Sequence, residues 1–514
     1  MTIGPHMPEE RTRAVIDMGS NSFRLVIYRY VPGHWFRLVD EIREPVRLSE
    51  GITDGCIAPA ALARAERAAH LYAAYCDAAG IHTVDVVATS AVRDAVNQRE
   101  VLDVLSVGRL AVRVLSAEQE ARYGYLGVVN GSTLADGWFM DLGGGSIQIG
   151  RVDARHLTRS MSAPLGAVRL TEAFLTGDQR DAKELSALRT HVRKSLASFD
   201  WIGGDGRVVG IGGALRTLAV MQQRTERGPL IDPNGHRMSR QELATTIDTL
   251  LELPASQRAR LPGLRADRAD IILAAALAID EVMRAVGSDH LEVCGQGLRE
   301  GVFLEHYLAP ADPPLLPDVR RSSVINAAES FGYEREHAEQ IARVALMGFD
   351  ATAAVGLHPG DRNERDLLWA AAILHDVGVL VDYSAHHRHS EYLVLNAGLS
   401  GFQHREIALI SSMVRGHRKG VPSLESYRGT LQPGDEAIFA RGVALLRLAE
   451  QLERAKAGQV HDLRCRLTAS GLEFQVDCVG DPSLALWSAE QEAPYLERVF
   501  GHHVELVGAA VEPA

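Results

Sequence analysis

Two short segments share a pattern that few folds can satisfy. Ile16-Asp17-Met18-Gly19-Ser20-Asn21-Ser22 opens into the apolar-rich run Phe23-Arg24-Leu25-Val26-Ile27-Tyr28. Met140-Asp141-Leu142-Gly143-Gly144-Gly145-Ser146 opens into Ile147-Gln148-Ile149-Gly150. Each reads as a β-hairpin whose turn carries an aspartate, small residues and hydroxyls. Glycine permits the backbone angles and close approach that let such a turn point several N–H groups at an anion. In a single copy, the aspartate could merely cap its own turn. Two matched copies predict a duplicated fold whose halves face one phosphate chain from opposite sides.

The bulk properties narrow the class. At 514 residues the chain is long enough for three or four domains, since single cores rarely exceed ~250 residues. Its 46% hydrophobic and 23% charged residues are ordinary for a globular protein. No apolar run approaches the ~18 residues of a membrane span. Met1 to Arg13 is short and polar, without the apolar core of a secretory signal. Five dispersed cysteines, Cys56, Cys76, Cys294, Cys465 and Cys478, lack CxxC spacing and fit reduced thiols in the cytoplasm. A net charge of −12 argues against a dedicated nucleic-acid binder. Basic clusters at Arg320-Arg321, Arg415-Gly416-His417-Arg418-Lys419 and Arg447 to Arg454 could still form a basic track, or be ordinary solvated surface.

Strand and helix signals alternate through the first part of the chain. Val26 to Tyr30 and Val84 to Ala88 read as strands. Pro59 to Ala79 reads as a helix stopped at Gly80. Val112 to Leu115 is a further strand leading into a helix from Ala117 to Val128. The hairpin logic restarts at Trp138 and runs through Val208-Val209-Gly210-Ile211-Gly212-Gly213 to a helix over Ala269 to Val286. This alternation predicts an α/β layered architecture. Ala309-Pro310-Ala311-Asp312-Pro313-Pro314-Leu315-Leu316-Pro317 is the clearest linker. The pattern then turns almost wholly helical to about residue 457. Leu463 to Leu467 and Leu472 to Val476 alternate like paired strands, Ala493 to Phe500 reads as a short helix, and Val504 to Val507 as a last strand.

Phosphoryl transfer to water needs an anion cradle, a divalent metal, a positive side chain and a base. The two turns supply the cradle, and Asp17 and Asp141 sit where a carboxylate could hold Mg²⁺. Arg93, in Ala88-Thr89-Ser90-Ala91-Val92-Arg93-Asp94, is expected near a helix N-terminus at a strand exit, a normal place for a ligand group. There a guanidinium could stabilise charge on a terminal phosphate; otherwise it pairs with Asp94 or Glu100. Glu118 and Glu120, in Ser116-Ala117-Glu118-Gln119-Glu120-Ala121-Arg122, enter a helix two positions apart and point in different directions. One could deprotonate water; equally, both could only favour the helix's first turn. Spacing does not choose between them.

The strings IDMGSNSFRL, ATSAVRDA, SAEQEAR, MDLGGGS, APLGAVRLTE, GIGGALRTLA and CGQGLREGV occur in this order. Together they closely resemble the exopolyphosphatase and guanosine pentaphosphate phosphohydrolase family, within the actin, sugar-kinase and heat-shock-ATPase superfamily. The resemblance is dense over residues 12 to 310. It implies two ribonuclease-H-like domains, 12–131 and 132–309, with the site in the cleft between them. A linker would span 310–317, followed by an all-α HD-like domain over 318–457 and a small α+β domain over 458–514. Glu120 matches the family's catalytic base, Arg93 its phosphate-binding arginine, and Asp141 its carboxylate near metal and water. Gly19, Ser20, Asn21 and Ser22, with Gly143, Gly144, Gly145 and Ser146, match its phosphate-binding loops. Gly212 and Gly213, grouped with these, match a glycine turn that lies near adenosine in nucleotide-binding relatives. Candidate metal ligands are Asp17, Asp141 and Glu120, for Mg²⁺ or Mn²⁺.

The resemblance implies a cytoplasmic homodimer that releases orthophosphate from the end of linear inorganic polyphosphate. Removal of the 5′ γ-phosphate from guanosine pentaphosphate is the alternative. An ATP-dependent, kinase-like transferase and a non-catalytic polyphosphate or alarmone sensor are further readings. The glutamate before Ala121-Arg122 and the Gly297-Leu298-Arg299-Glu300-Gly301 run favour the hydrolase. In the helical region, Leu374-His375-Asp376-Val377-Gly378, with His337 upstream and His386, His387, His389 and His417 downstream, resembles the HD fold. Its metal site has the order His, His-Asp, Asp, whereas this chain has Glu450 at the last position. That departure argues against a second catalytic centre, and assigns these histidines a structural or channel-lining role.

Overall fold

The computed structural model describes residues 9–511 except 176, 179, 180, 205, 227–229 and 419. The beginning of the polar N-terminus and Lys419 of one basic cluster therefore lie outside the described residues. The chain divides into a compact unit that ends at Val319 and a second that begins at Arg320.

The first unit holds two sheets. In one, β1 (Arg11–Met18), β2 (Phe23–Val31), β3 (Trp35–Glu44), β4 (Val84–Ala88) and β5 (Val112–Val114) take the order β3-β2-β1-β4-β5. In the other are β6 (Gly137–Leu142), β7 (Ile147–Asp153), β8 (His156–Ala163), β9 (Arg207–Ile211), β10 (Arg237–Ser239) and β11 (His290–Val293). Their order is β10-β11-β9-β6-β7-β8, the same succession as in the first sheet, with β10 added at one edge. In both, a central hairpin is antiparallel and its first strand pairs in parallel with the strand beyond. The register repeats as well: Asp17 faces Arg24, and Asp141 faces Gln148. The two acidic turns are thus equivalent places in a duplicated fold.

Each sheet has its own core, one around Phe23, Ile16 and Tyr72, the other around Met140, Ile149 and Leu215. A third cluster joins them through the helix Ala117–Gly131, whose Leu126 and Val129 pack with Val15 and Val87 of one sheet and Phe139 and Val209 of the other. Glycines on this helix permit close approach to its neighbours: a Cβ at Gly127 would overlap the Gly297 backbone. A Cβ at Gly301, in the helix Leu298–Tyr307, would overlap the Tyr123 carbonyl. The predicted helix over Ala269 to Val286 starts later, at Ile272, after a short 3₁₀ turn over Ala266–Arg268. The proline-rich segment is fastened to the first unit. Asn130 Nδ2 donates to the Pro314 carbonyl at 3.0 Å, its Oδ1 accepts from Leu316 N at 2.7 Å, and Arg155 donates to the Leu316 carbonyl at 2.7 Å.

The second unit packs helices Arg335–Ala354, Arg362–Leu374, His386–Leu395, His404–Gly416 and Asp435–Leu452 with a three-stranded sheet. There β12 (Val460–Leu467) and β13 (Leu472–Val479) are antiparallel, while β14 (Val504–Val511) pairs in parallel with β13. The helices Ser483–Ala489 and Ala493–Phe500 lie in the crossover that a parallel pairing requires. So small a sheet needs cover for its apolar face. Leu463, Phe474 and Val476 accordingly share one core with Phe349, Leu409 and Leu445 of the helices. Of the basic clusters, Arg320 and Arg447 are packed into this unit, while Arg321 stays exposed over a ring. Arg320 lies over the Phe402 ring at 4.2 Å, Arg321 over Trp369 at 4.5 Å, and buried Arg447 donates to the Gly416 carbonyl at 2.6 Å. Among the described residues no helix is long and apolar enough to cross a membrane.

Candidate active site

The two turns meet. A Cβ at Gly144 would come within 3.2 Å of Ser20 and Asn21, so the second turn lies directly against the first. The carbonyls of Gly143 and Gly144 accept from Ala167 N at 3.0 Å and Val168 N at 2.9 Å. In a trans peptide the following N–H points the opposite way, so the N–H groups of Gly144 and Gly145 turn away from the helix Ala167–Phe174. Asp17, Gly19, Ser20, Asn21, Ser22, Glu120, Asp141, Gly143, Gly144, Ser146, Gly212 and Gly213 line one cleft. Gly145 and Arg93 do not line its wall. Gly145 backs onto the hydroxyls of Ser20 and Ser90, which a Cβ would approach to 2.7 and 2.6 Å. At Gly212, φ is +114° and a Cβ would crowd the Leu142 carbonyl, so only glycine fits there.

Glu120 lies on the first turn of the helix Ala117–Gly131, which a capping box begins: Ser116 Oγ accepts from Gln119 N, and Gln119 reaches back to Ser116 N. This fixes which glutamate faces inward. Glu120 is buried and lines the cleft, while Glu118 is exposed. Replacing Ser116 with alanine should cost about 1 kcal/mol of stability, read as a lower midpoint in urea unfolding.

Arg93 donates from Nη1 to Glu120 Oε2 at 2.7 Å and to the Leu115 carbonyl at 3.1 Å, and stands 3.5 Å from Asp94. It closes the one-turn helix Ser90–Arg93 rather than opening a helix, because the chain turns again before Gln98. The expected strand exit is correct; the expected helix N-terminus is not. Ser146 Oγ donates to Glu120 Oε1 at 3.4 Å and accepts from Gln148 Nε2 at 2.9 Å.

Asp17, Asp141 and Glu120 line the same cleft, but among the described residues their carboxylate oxygens do not all come within 4.8 Å of one another, so the three expected metal ligands are not gathered as one set. Burial raises the Asp17 and Glu120 carboxyls above their usual range. Burial, then the charges of Glu120 and Asp17, pushes Asp141 up to about 7.

Further cleft residues were not singled out as site residues: Arg24, Thr89, Ser90, Arg216 and Arg299, which lie inside the quoted motifs, and Arg268, which lies in none of them. Arg299 stands 3.9 Å from Asp17, and Arg216 donates to the Gly295 carbonyl at 2.9 Å. A Cβ on Gly213 would overlap the Arg268 guanidinium. Burial, then Arg299 and Arg216, lowers the Arg24 pKa. Several arginines beside the two turns give this cleft the chemistry to hold an anion. Arg24, Arg216 and Arg299 each follow a glycine-rich turn in the sequence, whereas Arg268 follows none.

Residues 26–309 match the Ppx/GppA phosphatase family, and residues 319–492 match Ppx/GppA phosphatase, domain III. A guanosine-5′-triphosphate,3′-diphosphate pyrophosphatase of Pseudoalteromonas translucida is 26% identical over 463 residues, covering 87% of this chain and 88% of that protein. A Ppx/GppA family member from Aquifex aeolicus is 27% identical, with a TM-score of 0.51 over 58% of this chain and 98% of its own. An exopolyphosphatase from Cytophaga hutchinsonii shares the fold at 23% identity, with a TM-score of 0.53 over 58% of this chain and 98% of its own. With matched motifs, a duplicated fold and a carboxylate-and-arginine cleft, this chain belongs to the Ppx/GppA phosphatase family.

Proposed function

We propose that the chain is an exopolyphosphatase that releases orthophosphate from the end of linear polyphosphate. The observation that carries this reading is the cleft in which Glu120, Asp17 and Asp141 face several buried arginines and two facing glycine-rich turns. The Glu120 carboxylate takes a proton from water, and the water oxygen attacks the terminal phosphorus in line. The bond to the bridging oxygen breaks, leaving orthophosphate and a chain shorter by one unit. Arg93 leaves Glu120 for a phosphoryl oxygen, with the N–H groups of Gly19 to Ser22 and Gly143 to Ser146 holding the remaining oxygens. Gly212 and Gly213 border the chain's path. Asp17, Asp141 and Glu120 are the residues that would hold Mg²⁺ or Mn²⁺, which when bound offsets negative charge on the phosphoryl oxygens.

The shared sheet order supports reading 12–131 and 132–309 as two ribonuclease-H-like domains. The 319–492 match supports an appended helical domain of HD type over 318–457, with the strands of 458–514 completing it. A homodimer and a cytoplasmic setting complete the reading; five unpaired cysteines suit a reducing compartment.

Hydrolysis of guanosine pentaphosphate is the second reading, favoured by the relative that spans most of this chain and carries that activity's name. Initial rates of phosphate release from long-chain polyphosphate and from guanosine pentaphosphate, measured side by side, separate the two. A higher kcat/KM on the nucleotide reverses the order. Arg93→Ala should lower kcat/KM at least tenfold on either substrate, and Arg93→Lys should not restore it, because a point charge lacks the guanidinium fork. Phosphate release that requires ADP and yields ATP would identify a transferase instead.

A further inference from the structure

The second unit gathers six potential metal ligands from five helices and their junctions. His337 is on Arg335–Ala354, and His375 and Asp376 follow Arg362–Leu374. His386 opens His386–Leu395, His417 follows His404–Gly416, and Glu450 is on Asp435–Leu452. They form two sets, each with ligand atoms within 4.8 Å of one another: His337, His375 and Glu450, and Asp376, His386 and His417. The sets adjoin. Asp376 Oδ2 lies 3.4 Å from His375 Nε2, while its Oδ1 lies 3.0 Å from His386 Nε2 and 3.5 Å from His417 Nε2. Glu450 Oε2 lies 3.4 Å from His375 Nε2 and 3.6 Å from His337 Nε2.

The proton positions make this arrangement informative. His375 Nδ1 contacts the Ala372 carbonyl at 2.7 Å, His417 Nδ1 the Val414 carbonyl at 2.6 Å, and His386 Nδ1 the Tyr383 carbonyl at 2.9 Å. A carbonyl oxygen only accepts, so each Nδ1 carries a proton, and in the neutral ring that a metal binds each Nε2 is left with the lone pair. Arg418 Nη1 donates to the same Tyr383 carbonyl at 3.0 Å and stands 3.3 Å from His386 Nδ1, the longer of that nitrogen's two contacts. The Nε2 atoms of His386 and His417 then face each other at 3.0 Å, lone pair to lone pair, beside a carboxylate. His375 Nε2, both nitrogens of buried His337 and Glu450 Oε2 have no hydrogen-bond partner. Backbone-anchored Nδ1 atoms that leave Nε2 facing a shared carboxylate are the usual outer support of metal-bound histidine.

We propose that these side chains hold two divalent cations, one between His337, His375 and Glu450 and one between His386 and His417, with Asp376 bridging them. Four imidazoles and two carboxylates favour Mn²⁺, Fe²⁺, Co²⁺ or Zn²⁺ over Mg²⁺ and Ca²⁺, unlike the all-oxygen set of the first unit. Glu450 therefore does not break the site, as the sequence suggested: its extra methylene carries the carboxylate to the last ligand position. Few protein ligands per ion leave coordination positions for water or an anion, on the side where Asp376 and Glu450 keep about a fifth of their surface exposed.

The full chain, stripped with chelator and reloaded with Mn²⁺, tests this by bound-metal analysis and electron paramagnetic resonance. The wild type should retain about two more equivalents of Mn²⁺ than Asp376→Asn, and show the multi-line spectrum of an exchange-coupled pair. His386→Ala/His417→Ala should lose about one equivalent and the coupling, whereas Glu450→Asp should keep both. A wild type that holds no more Mn²⁺, Co²⁺ or Zn²⁺ than Asp376→Asn overturns the proposal, leaving a cluster held by protons alone. An uncoupled spectrum in the loaded wild type overturns the bridged pair without relying on any variant's stability.

Discussion

Glu120→Ala should lower kcat for orthophosphate release by about 10²–10⁴-fold, the range that a positioned general base supplies. Polyphosphate binding should survive, because the turns and cleft arginines remain. Glu120→Gln, which keeps the shape but cannot take the proton, should be nearly as damaged. Glu118→Ala, two positions away and exposed, should stay within about twofold of wild type, as for a surface change. The pair of variants is decisive because burial, the Arg93 contact and the Ser146 contact belong to Glu120. Undiminished turnover in Glu120→Ala would remove it from the base role. Lost turnover accompanied by lost binding would assign it to holding substrate.

The second large effect is expected at Gly166. A Cβ there would land on the backbone of Gly144 and Gly145, the centre of the second turn. Backbone cannot swing aside as a flexible side chain does, so Gly166→Ala must displace either the turn or the helix Ala167–Phe174 that caps its carbonyls. Overpacking of this kind costs about 1–3 kcal/mol, measured by urea unfolding. The same displacement should raise KM for polyphosphate, since the turn is part of the proposed cradle. Gly429→Ala, where a Cβ meets nothing within 4 Å, should shift stability by less than about 0.5 kcal/mol. A Gly166→Ala protein with wild-type stability and KM would show that the two segments can move apart freely.

The hairpins, the turns and most helices were legible because their signals are local. Alternation marks a strand, and glycine with aspartate marks a turn. Ser116 with Gln119 marks a helix start, so Ala117–Gly131 appears close to its predicted limits. Arg93 was legible as a residue at a strand exit, but its place in a one-turn helix depends on how the chain turns before Gln98. The cleft arginines were not legible. Nothing in Phe23-Arg24-Leu25 or Leu215-Arg216-Thr217 separates a cleft arginine from a surface one until strand register and helix packing bring them beside Arg299. Arg447 errs the other way: it looks like surface charge, yet the fold buries it on backbone carbonyls.

The sequence by itself determined that a duplicated pair of acidic glycine turns exists, that a helix carrying Glu118 and Glu120 follows a strand, and that a histidine-rich helical region lies beyond a proline-rich segment. These rest on periodicity and on backbone angles that neighbouring residues dictate. Tertiary structure alone decided which glutamate is buried, which arginines share the cleft and whether Glu450 reaches the histidines. Those outcomes depend on contacts between residues far apart in the chain, where one turn of helix or one step of register sends a side chain inward or outward. The same packing buries Asp141 close enough to Glu120 and Asp17 for their charges to raise its pKa, and brings histidines of separate helices within reach of Asp376 and Glu450.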